Sequence, residues 1–170
     1  MDEQDNAGGT VNTPLPNGAD TEPAVGLLTQ YVKDLSFENP RAPGVFQNQQ
    51  GPEINVQFDI AANQLGDDAH EVVLKIEVRA ETAGEVTFLI ELSYAGLFGV
   101  RNVPTEALQP FLLGEAPRLL FPFARRVIAD TIRDGGFPPL LLEPIDFNTL
   151  YQQQSAQRDA QLAAGNFGQA

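Results

Sequence analysis

The sequence predicts an α+β fold: a four-stranded antiparallel sheet with helices packed on one of its faces. Apolar and polar residues alternate with period two in several runs between Tyr31 and Tyr94. After Arg118 the apolar residues recur at helical spacing instead. The strand runs all precede the helical ones, which is the order of α+β rather than of alternating βαβ units.

The first strand places Tyr31, Leu35 and Phe37 on one side and Asp34, Ser36 and Glu38 on the other. It runs into a loop carrying Pro40, Pro43, Val45 and Phe46, stiffened by its prolines. In the second strand Ile54, Val56, Phe58 and Ile60 alternate with Asn55, Gln57 and Asp59, and the turn LGDD follows. In the third, Val72, Leu74, Ile76 and Val78 alternate with Val73, Lys75, Glu77 and Arg79. TAGE then forms a hairpin turn into the fourth strand, where Val86, Phe88, Ile90, Leu92 and Tyr94 alternate with Glu85, Thr87, Leu89, Glu91 and Ser93. Alternation this regular marks a sheet covered on one face only.

The stretch NVPTEALQPFLLGEAP reads as one or two short helical turns, interrupted by Pro110 and stopped before Pro117. The main helix is RLLFPFARRVIADTIRDGG, with Leu120, Ala124, Val127, Ile128 and Thr131 as its apolar stripe and Gly135 or Gly136 as its C-cap. FPPLLLEPI is an extended crossing, and Asp146 is the N-cap of a final helix beginning FNTLY. Residues 1–24 are polar and acidic and predict a disordered tail; residues 25–154 form the domain; residues 155–170 predict a flexible C-terminal tail.

The uncovered face then carries Asp34, Ser36, Glu38, Gln57, Asp59, Glu77, Leu89 and Glu91, with Val32 and Val73 as isolated apolar residues. On the helix, Leu119, Phe121, Phe123 and Ile132 lie off the stripe. Burying each such side chain gives about 1.5–3 kcal/mol, so this surplus argues for self-association. The simpler alternative is that the short apolar segments wrap the helix.

Of the 170 residues 42% are hydrophobic, enough for a core, while 23 acidic against 10 basic residues leave a net charge of −13. Such a field repels nucleic acid and anionic membranes and steers basic partners in. The absence of cysteine excludes disulfides, thiolate zinc sites and cysteine nucleophiles. The single histidine, His70, falls on the same side of its strand as Val72 and Leu74. No serine sits in a G-x-S-x-G elbow, and AGLFGV lacks the lysine and spacing of a phosphate-binding loop. Asp67 and Asp68 fit turn chemistry better than a metal site, and Glu77 and Glu91 lie on an open face without an apolar pocket. The chain is therefore expected to be no enzyme and to need no cofactor or metal. Its N-terminus lacks the pattern of a secretory signal and no run approaches the ~20 apolar residues of a membrane span. These features predict a soluble, cytoplasmic protein. A binding role remains. Pro43, Val45 and Phe46 offer a rigid apolar surface, and the residues alone leave open whether Phe46 meets a ligand or plugs the core.

Three segments, YVKDLSFENPRAPGVFQ, LGDDAHEVVLKIEV and LLFPFARRVIADTIRDGGFPPLLLEPIDFNTLY, resemble SecB, the bacterial protein-export chaperone family. The resemblance spans Leu27 to Gln154. It implies a homotetramer, a dimer of dimers with helices sandwiched between the dimers. It implies an ATP-independent chaperone that binds unfolded precursor proteins and hands them to the translocation ATPase SecA. Matched by motif, the SecA contacts are Asp34, Glu38, Leu89 and Glu91. Any zinc at that contact belongs to the partner. By position, the client groove comprises Pro43, Val45, Phe46, Ile54, Val56, Phe58, Leu141 and Tyr151. The chain departs from the family in its long low-complexity N-terminal tail and in a nearly neutral C-terminal one, where Arg158 stands against Asp159.

Overall fold

Each alternating run forms a strand, and the strands build one antiparallel sheet in the order β1-β4-β3-β2. The computed structural model describes residues 21–165. The strands are β1 (Ala24–Glu38), β2 (Glu53–Gln64), β3 (Ala69–Thr82) and β4 (Glu85–Arg101). Helix α1 (Thr105–Pro110), a π-helical turn (Phe111–Glu115) and α2 (Ala116–Asp134) follow without a break, and α3 (Phe147–Gly165) closes the chain. This is the α+β architecture that the sequence predicts. The expected N-terminal tail lies outside the described residues up to residue 20, and β1 begins at Ala24. Helix α3 extends past residue 155 to Gly165.

Strands β3 and β4 lie in the middle of the sheet, and their even-numbered residues form its buried side. Val72, Leu74, Ile76 and Val78 face α2 alongside Phe88, Ile90, Leu92 and Phe98. Helix α2 supplies Leu120, Phe121, Ala124, Ile128 and Ile132 to the same core. At Gly96 of β4 the sheet passes so close to α2 that an added Cβ would lie 2.8 Å from the Leu120 side chain. Tight turns set the register. Ala83 and Gly84 hold φ of 52° and 78°, the left-handed pair of a two-residue hairpin turn, as TAGE predicts. The final helix is capped as expected: Asp146 Oδ1 accepts from the Thr149 amide at 3.0 Å and Oδ2 from the Thr149 hydroxyl at 2.7 Å.

Three expectations need correction. The helical segment does not stop before Pro117. Pro117 sits in the first turn of α2, where a missing N–H costs least, and the ladder widens into a π turn between Pro110 and Pro117. Phe121 and Ile132 are not surplus. Both are buried in the chain's own core, because the buried stripe is wider than one row, while Leu119 and Phe123 remain exposed. Thirdly, the alternation in β1 breaks at a bulge between Val32 and Asp34, with Lys33 unopposed. Val32 consequently pairs with Tyr94 on the helix side, and Tyr31 pairs with Ala95 on the open side, each opposite to the sequence expectation.

Candidate binding surfaces

The register fixes the open face row by row. Glu38 lies opposite Leu89, whose other neighbour is Arg79. Ser36 lies opposite Glu91, which in turn faces Glu77. Asp34 lies opposite Ser93, which faces Lys75. Asp34, Glu38, Leu89 and Glu91 therefore share one face of two adjacent strands, Asp34 and Glu38 exposed and Leu89 and Glu91 half-buried. Two cations of this face are already engaged, Lys33 with Glu71 and Arg79 with Glu81. Glu77 and Glu91 stand as directly opposed like charges, an arrangement that destabilises a sheet by about 0.2–1 kcal/mol.

The β1 bulge builds a polar cluster that alternation did not reveal. The Tyr31 hydroxyl donates to Glu71 Oε1 at 2.6 Å, and Lys33 Nζ donates to both Glu71 oxygens at 2.9 Å. Glu71 is only 6% exposed. The Tyr31 hydrogen bond, and then that of Lys33, hold the Glu71 carboxyl below its usual range against the opposing effect of burial. The same carboxylate raises the Tyr31 phenol, chiefly through their hydrogen bond. Alternation places Glu71 on the open face, but its burial depends on Tyr31 crossing to that face, and no local pattern marks the bulge that moves it.

The loop after β1 carries Pro43, Val45 and Phe46. Pro43 is exposed and precedes a single 3₁₀ turn, Gly44–Gln47, which is tied back by Val45 N–H donating to the Arg41 carbonyl at 3.0 Å. The Phe46 ring is 50% exposed, and its centroid lies 5.3 Å from that of Phe137. Phe137 continues the contact to Phe88 at 4.9 Å, and Phe88 to Phe37 at 6.2 Å. One side of Phe46 thus anchors the loop to the core while the other faces outward. Gly136, at φ 91°, makes the approach possible, since a Cβ there would stand 2.8 Å from the Phe46 ring. Between the loop and this aromatic ladder lies a recess of 290 Å³, lined by Val45, Phe46, Pro52, Phe137 and the buried Thr82 and Thr87, with Asn48, Gln49 and Gln50 also along it.

The other residues of the expected groove fall elsewhere. Val56 and Phe58 pack half-buried on the helix side of the edge strand β2, and Phe58 meets Phe121 at 6.3 Å and Phe147 at 6.2 Å. Phe58 and Tyr151 line a second recess of 190 Å³ together with Ile60, Leu113 and Leu150. Ile54 is exposed beside a polar hollow that includes Glu77 and Arg79. Leu141 is 73% exposed at a third recess, with Pro122, Arg125 and Arg126. The eight residues therefore spread over several places along the sheet edge and helices. Among the described residues no group of three or more His, Cys, Asp and Glu side chains is placed to hold a metal ion.

The family model described as Preprotein translocase subunit SecB matches residues 18–158. This chain belongs to the SecB family. It is 62% identical over 152 residues to the Protein-export protein SecB of Sphingopyxis alaskensis, with 88% of each chain covered. It is 60% identical over 157 residues to that of Rhizorhabdus wittichii, covering 92% of this chain and 94% of the relative. It is also similar in structure to the SecB-like chaperone of Mycobacterium tuberculosis, solved in complex with a ChAD peptide from the HigA1 antitoxin. That likeness has a TM-score of 0.61 at 19% identity, covers 71% of this chain and 90% of the other, and supports the fold. A protein-export chaperone family thus accounts for the chain, as the three segments implied. No helix among the described residues is long and apolar enough to cross a membrane.

Proposed function

We propose that this SecB chain binds unfolded precursor proteins without nucleotide, keeps them translocation-competent and delivers them to SecA in the cytoplasm. The observation that carries the reading is the separation of two surfaces served by one strand. β1 sends Asp34 and Glu38 to the open acidic face, then runs directly into the loop whose Phe46 borders an aromatic recess. A basic partner and an apolar client can then be held at once without competing.

Clients would be held by shallow apolar contacts at the recesses of Phe46 and of Phe58 and Tyr151, with backbone pairing along the exposed edge of β2. The remaining groove residues, Pro43, Val45, Ile54, Val56 and Leu141, extend that path. Each contact is weak, and a long client spanning several grooves gains avidity of roughly 10²–10⁴. Folded proteins hide such segments, so selection for unfolded chains needs no sequence code. The assembly proposed is a dimer of dimers, supported by apolar side chains left exposed on the β1 edge (Leu27, Leu35) and on α2 (Leu119, Phe123). Delivery rests on Asp34, Glu38, Leu89 and Glu91, which offer the SecA chain an acidic surface with an apolar residue, Leu89, at one end beside Glu38.

A refolding assay tests the reading. Stoichiometric amounts of this protein are expected to delay refolding of a denatured precursor in the absence of nucleotide. Phe46→Ala is expected to shorten the delay and weaken client binding by about 5–30-fold, the effect of losing an aromatic anchor. Refolding rates that are the same with and without the protein would contradict the proposal.

A further inference from the structure

Thr82 ends β3, and Thr87 occupies a bulge in β4. The register passes from Ala80 opposite Phe88 to Glu81 opposite Val86, leaving Thr87 unopposed. Plain alternation would send Thr87 to the open face, and the bulge turns it inward instead. The two hydroxyl oxygens lie 2.8 Å apart, with Thr82 6% and Thr87 3% exposed. They are the only buried residues lining the recess beneath Phe46; the rest of the lining is half-buried or exposed. The recess therefore has aromatic walls, Phe46 and Phe137, and a hydroxylated floor.

One of the two hydroxyls donates to the other. That leaves one hydroxyl hydrogen and several lone pairs for a third group. At 290 Å³ the recess is at the small end of ligand pockets, sized for a single large side chain rather than a folded segment. An aromatic ring fits between its walls, and a hydroxyl at the ring's tip can both donate to and accept from the threonine pair. A phenyl ring fills the same walls but strips water from the pair without replacing it. We infer that the recess is a side-chain subsite that selects tyrosine over phenylalanine in an extended client. This inference rests on the chaperone reading above and names the client chemistry of the same groove.

The test uses the full chain and two unstructured peptides of Gly, Ser and Gln, identical except for one central residue, Tyr or Phe. Each competes for a fluorescently labelled unfolded polypeptide. The Tyr peptide is expected to compete better by about 3–10-fold, the range of one net hydrogen bond. In a Thr82→Val/Thr87→Val protein, which keeps the shape and removes both hydroxyls, that preference is expected to vanish while the Phe peptide binds at least as well. Thr87→Ser, which keeps the hydroxyl, is expected to retain the preference, so the inference stays testable if the double variant folds poorly. Equal competition by both peptides on the unaltered protein, or an undiminished preference in the double variant, overturns the tyrosine selection alone. If neither peptide nor an unfolded precursor competes, the chaperone reading falls and the inference with it.

Discussion

Glu91→Lys is expected to weaken SecA binding by about 10–100-fold, because it replaces an attraction to a basic partner by a repulsion at the middle of the open face. The register explains why the free protein should tolerate the change. Glu91 faces Glu77 across β3 and β4, so a lysine there converts a like-charge pair into an opposite-charge one. Loss of binding without loss of stability is therefore the expected signature. Titration calorimetry at low salt reads the affinity, with the mass of the assembly and client binding as controls that should not move. The unaltered contact should also weaken as salt rises, since exposed charges are screened beyond about 10 Å at 0.1 M ionic strength. Equal SecA affinity of the two proteins would remove Glu91 from the contact.

Lys33→Met is expected to cost about 1.5–3 kcal/mol of stability at neutral pH. The Glu71 carboxylate is buried, and Lys33 contacts both of its oxygens. Without the ammonium, Tyr31 is the closest remaining donor, at 2.6 Å, and burial works against the charge. The pH dependence follows from the direction of the shift. Hydrogen bonds from Tyr31 and Lys33 hold the Glu71 carboxyl below its usual value, so the stability it contributes is present above about pH 5 and is lost as the pH falls through the lowered folded value. In Lys33→Met that value rises, and the contribution shrinks. The difference between the two proteins should be largest near neutrality and close as the pH falls well below about 4, near and under the ordinary carboxyl value. Denaturant titrations from pH 7 down to pH 3 check this, and a gap that widens in acid would mean that Glu71 is not held ionised by this pair.

The parts of the fold that follow local periodicity were readable from residues alone. Even-numbered positions from Val72 to Ala80 in β3 and from Val86 to Tyr94 in β4 are apolar, which fixes the covered face, and the same alternation assigns Asp34, Glu38, Leu89 and Glu91 to the other. Asp146 and the TAGE turn were legible because capping and left-handed turn residues act within a few positions of themselves. What escaped reading were the bulges. A single unopposed residue at Lys33 moves Tyr31 and Val32 to opposite faces, and one at Thr87 turns a hydroxyl inward. Neither position carries glycine or proline, so nothing local announces the break. The helical misreading had a similar origin, because Pro110 and Pro117 look like stops while a π turn between them carries the helix through. Phe46 is only partly a plug, with one side of its ring on Phe137 and the other open.

Native mass spectrometry with and without an equimolar unfolded precursor tests the central claim most directly. The account predicts a species of four copies that gains the mass of one precursor chain and does not gain a folded control protein. A mass of one copy that is unchanged by the precursor would contradict it.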